Sequence, residues 1–242
     1  DRIMYLLIDI GNTRIKWQHR DEKNIILSGS IFVENFMDID FSTIKSIDKI
    51  IIANVNRSIV LDKMREILNV FKCPIIEAST DSNEYLINDY EDIKMLGVDR
   101  WMAALGAWKL YQRSLLIINA GTAITIDLID LDKKDKAHFK GGMILPGIAI
   151  SLGVLNNSTN LIDTEIGKNQ YPSLNTKDAV TTGIMTSIQG AVNLVCRKLP
   201  SSLPILLTGG DANLIYEQSE DDWKSRIKLE DDLIFEGLMF YT

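Results

Sequence analysis

The 242-residue sequence has only two cysteines and two histidines. Cys73 and Cys196 lack the spacing of a metal or redox motif, and each histidine stands alone. We expect His19 in a strand and His138 in a charged turn. Zinc catalysis and a Ser-His-Asp triad therefore both lack the side chains they need. Scarce cysteine favours a reducing, cytoplasmic setting.

Long apolar runs, an export signal and excess positive charge are also missing. Polar residues or Pro146 interrupt every apolar stretch before it reaches the roughly 20 residues of a membrane span. The N-terminus has no basic region followed by an apolar core, so we expect neither export nor a membrane partner. With 33 acidic and 26 basic residues the net charge is −7, which disfavours a general nucleic-acid binder.

Two common nucleotide-binding motifs are absent as well. Neither G-x-x-x-x-G-K-[ST] nor G-x-G-x-x-G occurs, so P-loop and Rossmann interpretations lose their usual support. The 46% hydrophobic and 24% charged residues are typical of a globular protein that can bury a sizeable core.

The sequence does contain one arrangement of strands and helices that occurs in both halves. Apolar periodicity predicts, in the first half, strands at 4–10, 14–19, 26–33, 49–54 and 73–78, with helices at 58–71 and 99–112. It predicts, in the second half, strands at 115–120, 123–130, 138–145 and 204–210, with helices after Gly147, over 176–199 and from Asp211. We therefore predict an α/β fold of two similar lobes around a central cleft, with domains at 1–114 and 115–242.

Each half opens with a similar turn between two strands. The first is Asp9-Ile10-Gly11-Asn12-Thr13 and the second is Asn119-Ala120-Gly121-Thr122-Ala123. The glycine permits a tight turn with exposed N–H groups, and Asp9 can hold a hard cation, which suits a phosphate and Mg²⁺ clamp aided by Lys16. If only one such turn were present, an ordinary turn between strands would be the simpler interpretation. Because the turn occurs in both halves, the sequence favours a phosphate-binding site.

Three other features carry a structural and a functional interpretation. Asp99 either caps a helix, with Arg100 as a solvated charge, or accepts a proton from an attacking hydroxyl while Arg100 holds an anionic substrate. The segment "LLTGGDA" either turns a strand into a helix capped by Asp211 or packs against adenosine. Gly183 and Gly190 share a helix face, which suggests close packing against the core or a second subunit.

The sequence resembles the type III pantothenate kinases, also called the CoaX or Bvg accessory factor family, within the acetate and sugar kinase, Hsp70 and actin superfamily. The resemblance covers nearly the whole chain. Its landmarks occur in family order: "DIGNTRIK", Tyr90 followed by "LGVDRW", "AGTAITID", "GGMILPG", "NT" opening a helix, and "LTGGDA". It implies two lobes of the actin-like, ribonuclease H-like ATPase fold and a homodimer. It also implies transfer of the ATP γ-phosphoryl group to the primary hydroxyl of pantothenate.

The resemblance also implies roles for matched positions. Asp99 would be the proton acceptor and Asp9 would lie near Mg²⁺. The ATP site would comprise Asp9, Ile10, Gly11, Asn12, Thr13, Arg14, Ile15, Lys16, Gly121, Thr122, Gly209 and Gly210. The pantothenate site would comprise Tyr90, Gly97, Val98, Asp99, Arg100 and Thr176.

The sequence departs from the family in two places. Asn119 stands where the family typically has an aspartate associated with a monovalent cation, and an amide brings no charge. We therefore expect a weakened K⁺ or NH₄⁺ site. The second departure, "ANVNRS" at residues 53–58, receives no role from the sequence.

Two other functions remain open at this level. One is a nucleotide-binding regulatory protein on the same scaffold, silenced by Asn119; retention of Asp9, Lys16, Asp99 and Arg100 argues against it. The other is a kinase of a different small hydroxy acid, which a fold alone does not exclude.

Overall fold

The computed structural model describes residues 2–159, 165–219 and 224–242. The strands are β1 (Tyr5–Ile10), β2 (Arg14–Arg20), β3 (Ile25–Phe32), β4 (Lys49–Asn54), β5 (Ile75–Glu77), β6 (Ile87–Asn88), β7 (Leu115–Ala120), β8 (Ala123–Leu131), β9 (Ala137–Pro146), β10 (Ile205–Thr208) and β11 (Ile227–Leu229). The described α-helices are α1 (Ser58–Leu68), α2 (Val98–Tyr111), α3 (Ile148–Thr159), α4 (Thr176–Arg197), α5 (Ala212–Gln218) and α6 (Leu233–Leu238).

The chain divides into two compact units. The first contains Asp1–Gln112, Asp132–Phe139 and Asp232–Thr242, and the second contains Arg113–Leu131 and Lys140–Asp231. The division near residue 113 lies close to the predicted one between 114 and 115. It differs in that two later segments, 132–139 and 232–242, join the first unit.

Both units use the same strand order, and the predicted α/β fold is confirmed. In the first unit the sheet runs β3-β2-β1-β4-β5, and in the second the corresponding strands run β9-β8-β7-β10-β11. The opening strands pair antiparallel in each case, while β4 is parallel to β1 and β10 is parallel to β7. In the first unit, β6 also pairs with the start of β9. The repeated sequence pattern therefore reflects a repeated topology.

Three short elements were not predicted from the sequence: β6, β11 and α6. They contain two, three and six residues, which is too short for hydrophobic periodicity to register. The strand predicted at 26–33 extends one residue beyond β3, because Val33 begins a 3₁₀ helix over Val33–Asp38 that the sequence did not predict.

The longest described helix, α4, has 22 residues and is long and apolar enough to cross a membrane by length and composition alone. Ile184, Met185, Ile188 and Val192 on one of its faces are buried in the core of the second unit. A core helix of a globular unit passes the same test, so this feature is explained by packing.

Helix α2 is buried on nearly all sides, from Arg100 to Ala107. Its close neighbour is α6, and two glycines allow the backbones to touch. A Cβ at Gly106 would overlap the carbonyl of Leu233, and a Cβ at Gly237 would overlap the carbonyl of Met102. The C-terminal helix thus fixes α2 by direct contact between main chains.

A small ionic network reinforces this contact. Glu236 on α6 accepts a hydrogen bond of 2.7 Å from the buried guanidinium of Arg20 and one of 2.8 Å from Lys109. Burial disfavours the carboxylate, but the bonds from Lys109 and Arg20 outweigh it and lower the pKa of Glu236.

We predict that Gly106→Ala destabilises the protein by roughly 1–3 kcal/mol, because the added methyl group meets a backbone that cannot move aside. Gly153→Ala in α3 is the matched control, since a Cβ there meets nothing within 4 Å. The control should be neutral or stabilising by up to about 1 kcal/mol. Urea unfolding followed by circular dichroism measures both. Equal stability of the two variants would contradict close α2–α6 packing.

Candidate active site

The first turn lies at the carboxyl end of β1. Four buried residues, Tyr5 to Ile8, anchor the strand in the sheet, and the turn closes with a 2.9 Å hydrogen bond from the Gly11 N–H to the carbonyl of Arg14. Asn12, Thr13 and Arg14 are exposed. The tip of the turn is thus open to solvent on a rigid base, which is a suitable arrangement for holding a phosphate.

Asp9 lies in register with Lys16 on the neighbouring strand. The pKa of Asp9 is raised from 3.8 to about 7, mainly by burial and also by the negative charge of Asp99, and the positive charge of Lys16 partly offsets both. The sequence assigned Asp9 and Lys16 to ATP and Asp99 to proton transfer from pantothenate, and the structure brings the three together within the first unit. Two mutually repelling carboxylates form a place where added positive charge is favourable.

Helix α2 carries Asp99 in its first turn. The N-cap is Gly97 rather than Asp99, so the capping interpretation of Asp99 is wrong. The Asp99 carboxylate instead folds over Gly97, where a Cβ would lie 2.6 Å from Oδ1. It also accepts a 2.8 Å hydrogen bond from the Arg100 N–H. A side chain at position 97 would therefore displace the Asp99 carboxylate from its present position.

Arg100 is buried, with 6% of its surface exposed, so its interpretation as a solvated charge is also wrong. Its guanidinium donates a 3.2 Å hydrogen bond to the Tyr90 hydroxyl. It lies 5.7 Å from the centre of the Tyr90 ring and 5.8 Å from that of Phe139. Tyr90 and Arg100, which the sequence proposed for one site, are thus in contact, and aromatic faces hold the cation in place.

Three residues beside this cluster were missed: Asp89, His138 and Phe139. Phe139 packs against Trp101 and Tyr90, with ring centres 6.0 Å and 6.4 Å apart. His138 lies in β9 rather than in a turn, and its Nδ1 is 2.9 Å from Asp89 Oδ1. The sequence did predict a strand at 138–145, which contains His138 and Phe139. Only the pairing of β6 with β9 shows that this strand lies next to Tyr90.

The second turn lies at the carboxyl end of β7. The Gly121 N–H donates to the carbonyl of Ala123 at 3.0 Å, so this turn is one residue shorter than its counterpart. The Gly147 N–H bonds the carbonyl of Thr122 at 3.1 Å, and a Cβ at Gly147 would overlap that carbonyl. The loop after β9 therefore packs directly on the second turn.

Gly209 lies beside the same turn at the end of β10. Its φ of +101° and its contact with the backbone of Ala120 both require glycine. Gly210 follows it with open space at its Cα. Asp211 occupies the N-cap of α5 without a capping side-chain bond, and burial raises its pKa. The structure thus brings Gly121, Thr122, Gly209 and Gly210 to one edge of the second sheet.

Asn119 lies in a row of neutral polar residues. It is in register with Thr125 on β8 and with Thr208 on β10, and both threonines are buried. The Thr125 hydroxyl is buried without a hydrogen-bond partner among the described residues. At the position equivalent to Lys16, the second turn thus has a threonine. The charged pair of the first turn is replaced by neutral oxygens in the second.

Thr176 is exposed at the first residue of α4. The side chain of Asn175 caps the helix by accepting from the Asp178 N–H at 2.9 Å. Hydrogen bonds from the Lys168 N–H and from Asn175 lower the pKa of the Asp178 carboxyl. Asp178, Thr181 and Thr182 all bind backbone N–H groups of residues 167–170, which fixes the segment leading to Thr176.

A divalent cation would find two carboxylates, Asp9 and Asp99, in the first unit. No group of three acidic, histidine or cysteine side chains arranged for a metal occurs among the residues described. Mg²⁺ is commonly held by one or two carboxylates together with substrate phosphates and water. The donor set therefore fits a metal that arrives with a nucleotide.

The repeated topology defines the class of protein: an actin-like ATPase fold shared with sugar kinases. Solved structures with this fold include MreB5 of Spiroplasma citri bound to ADP (TM-score 0.51, 10% identity, covering 99% of this chain and 96% of the other). A putative N-acetylmannosamine kinase from Listeria monocytogenes gives a TM-score of 0.54 at 13% identity, covering 99% and 98%. A conserved putative Baf family transcriptional activator from Campylobacter jejuni gives 0.64 at 24% identity, covering 97% and 96%.

The family follows from sequence comparison. A family model for type III pantothenate kinase matches residues 5–198. The type III pantothenate kinase of Methylobacillus flagellatus is 32% identical, over 97% of this chain and 96% of the relative. That of Psychrobacter cryohalolentis is 33% identical over 98% and 97%. The chain belongs to the type III pantothenate kinase family, whose members act on ATP with a divalent metal.

We predict that Asp9→Asn stabilises the metal-free protein by roughly 1–3 kcal/mol at pH 8. The folded pKa of Asp9 lies above the unfolded value of 3.8, so the wild type binds more protons when folded and loses stability as the pH rises from about 4 to about 7. The variant has no such loss, and the two should converge near pH 4. Thermal unfolding in EDTA measures this, with exposed Asp62→Asn as the control. Parallel pH profiles would contradict the assignment.

Proposed function

We propose that this chain is an active pantothenate kinase, which transfers the γ-phosphoryl group of ATP to the primary hydroxyl of pantothenate and yields 4′-phosphopantothenate. This is the first step of coenzyme A synthesis. The observation that carries the proposal is the cluster of Asp9, Lys16 and Asp99 in a chain of this family. The cluster supplies a cation site and a second carboxylate at a phosphate-binding turn.

The family resemblance assigns two groups of residues to ATP. Residues 9–16 would contact the phosphates of the nucleotide, with Lys16 supplying positive charge. Gly121, Thr122, Gly209 and Gly210 would also contact the nucleotide. Open space at the Cα of Gly210 leaves the backbone there accessible to a flat adenine or a ribose.

Asp9 would hold Mg²⁺, which supplies charge neutralisation to the phosphates when bound. Its raised pKa is consistent with this role, because a carboxylate that is costly to ionise alone gains most from a cation. Asp99 would accept the proton of the pantothenate hydroxyl as that oxygen attacks. Its contact with Gly97 and the Arg100 N–H fixes the carboxylate for that task.

Pantothenate would bind beside Asp99. Its carboxylate suits Arg100, whose guanidinium offers planar paired donors and is already oriented by Tyr90. Gly97 and Val98 would line the site through the backbone at the start of α2, and Thr176 would contribute a hydroxyl. A buried arginine held by aromatic rings is preorganised, so little entropy is lost when an anion binds.

A monovalent cation, K⁺ or NH₄⁺, would lie at Asn119. The amide carbonyl and the unpartnered Thr125 hydroxyl are oxygen ligands of the required kind, but neither is charged. We propose that the site is weaker here than in relatives with an aspartate.

We also propose a cytoplasmic homodimer. Gly183 and Gly190 do not pack on the described core, since a Cβ at either meets nothing within 4 Å. At Gly183, a cavity of about 390 Å³ is lined mainly by apolar residues of α3 and α4, among them Leu155 and Val180. Val154 and Leu194 are also exposed. This apolar face is suited to a second copy.

Asp99→Asn should lower kcat by roughly 10²–10⁴, the range expected when a general base is removed. The fold should persist, because the amide is isosteric. A coupled assay for ADP measures turnover, and Glu91→Gln, an exposed neighbour, is the control. Turnover of Asp99→Asn within threefold of wild type would remove Asp99 from the mechanism. Wild-type ADP release that does not depend on pantothenate would instead favour a regulatory protein or a kinase of another hydroxy acid.

Asn119→Asp should strengthen activation by K⁺ roughly tenfold, since a full negative charge is placed beside the cation. Thr125→Val should weaken any activation that the wild type has. Both are measured as rate against K⁺ concentration at constant ionic strength, with Li⁺ as the balancing ion. Identical K⁺ dependence in wild type and Asn119→Asp would leave Asn119 as a turn residue.

A further inference from the structure

The segment Asn54–Arg57, at the end of β4, contacts the first turn. Strand β4 is parallel to β1, with Asn54 in register with Ile10. The carboxyl ends of both strands therefore meet at one edge of the sheet. The Val55 N–H extends this pairing with a 3.0 Å hydrogen bond to the carbonyl of Ile10.

Asn56 makes the decisive contact. Its Nδ2 donates a 2.8 Å hydrogen bond to the carbonyl of Gly11, the glycine on which the phosphate-binding turn depends. Its Oδ1 accepts from the Arg57 N–H at 2.7 Å. One side-chain amide thus joins the turn after β1 to the residue at the N-cap of α1, and only Asn or Gln has both a donor and an acceptor of this shape.

Asn54 in turn fixes the position of Asn56. The Asn56 N–H donates to Asn54 Oδ1 at 3.0 Å, and Asn54 Nδ2 donates to the Asn56 carbonyl at 3.3 Å. Asn56 is half-buried, so this geometry is partly shielded from competing water. The two asparagines form a preorganised support under an otherwise exposed turn.

The neutrality of Asn56 matters as much as its shape. It contacts the residue two positions beyond Asp9, which already experiences burial and the charge of Asp99. A carboxylate at position 56 could not donate to the Gly11 carbonyl, and it would add a further negative charge near the phosphates.

We propose that Asn56, supported by Asn54, is a positioning residue for the ATP phosphates: it fixes the Gly11 turn through its backbone carbonyl and does not touch the transferred group. This inference rests on the proposed function of that turn. It gives the "ANVNRS" segment a role in nucleotide affinity rather than in pantothenate recognition.

The test compares Asn56→Ala and Asn56→Asp with Asn69→Ala, an exposed asparagine at the other end of α1. Loss of one hydrogen bond predicts that Asn56→Ala raises KM for MgATP about three- to tenfold while KM for pantothenate changes less than twofold. Asn56→Asp should raise KM for MgATP at least as much, with a dependence on ionic strength. Asn69→Ala should match wild type.

Calorimetric measurement of Mg-AMP-PNP binding separates the role of Asn56 from the proposed phosphate site itself. If Asp9→Asn or Lys16→Ala weakens binding but Asn56→Ala does not, the role of Asn56 is wrong while the proposed phosphate site stands. If none of the three variants changes binding, the phosphate site itself is wrong. Equal rises in KM for MgATP and for pantothenate would show a structural role only. Thermal unfolding of Asn56→Asp verifies that a loss of affinity is not a loss of folding.

Discussion

Asp9 and Asp99 repel each other, and much of the first unit can be understood as holding them together. One carboxylate is fixed by a buried strand and the other by a helix that is buried on nearly every side. The helix cannot move away, because at Gly106 its backbone lies directly against that of α6. Active sites commonly keep such unfavourable pairs, and the surrounding packing compensates for them.

The two units repeat a topology but not its electrostatics. In the first turn an acid faces a lysine across the strands, and in the second an amide faces a threonine. The same strand order thus carries a charged pair at one turn and a neutral pair at the other.

Much of the fold was predictable from the sequence, because long strands and helices have clear periodicity and the glycine turns repeat. The sequence also singled out Asp9 and Lys16 for ATP, and Asp99, Arg100 and Tyr90 for pantothenate. The sequence could not show that Gly97 rather than Asp99 caps the helix, nor that Arg100 is buried. The burial of Arg100 depends on its contacts with Tyr90 and Phe139, which only strand pairing brings near.

The role of Asn56 could not be predicted from the sequence for a related reason. Its partner, Gly11, is 45 residues away, and only the parallel register of β1 and β4 joins them. Sequence periodicity reports which face of an element is apolar but not which element lies beside it. For the same reason, the sequence did not predict the contacts of Asn54, Asn56 and His138 or the packing of α6.

Helix α6 lies in the first unit although the chain reaches it only after passing through the second. During synthesis, residues 5–111 therefore emerge long before the segment against which α2 packs. Until residues 233–238 arrive, the helix that carries Asp99 lacks the backbone that Gly106 contacts. The packing that fixes α2 is thus completed only after the second unit has been synthesised.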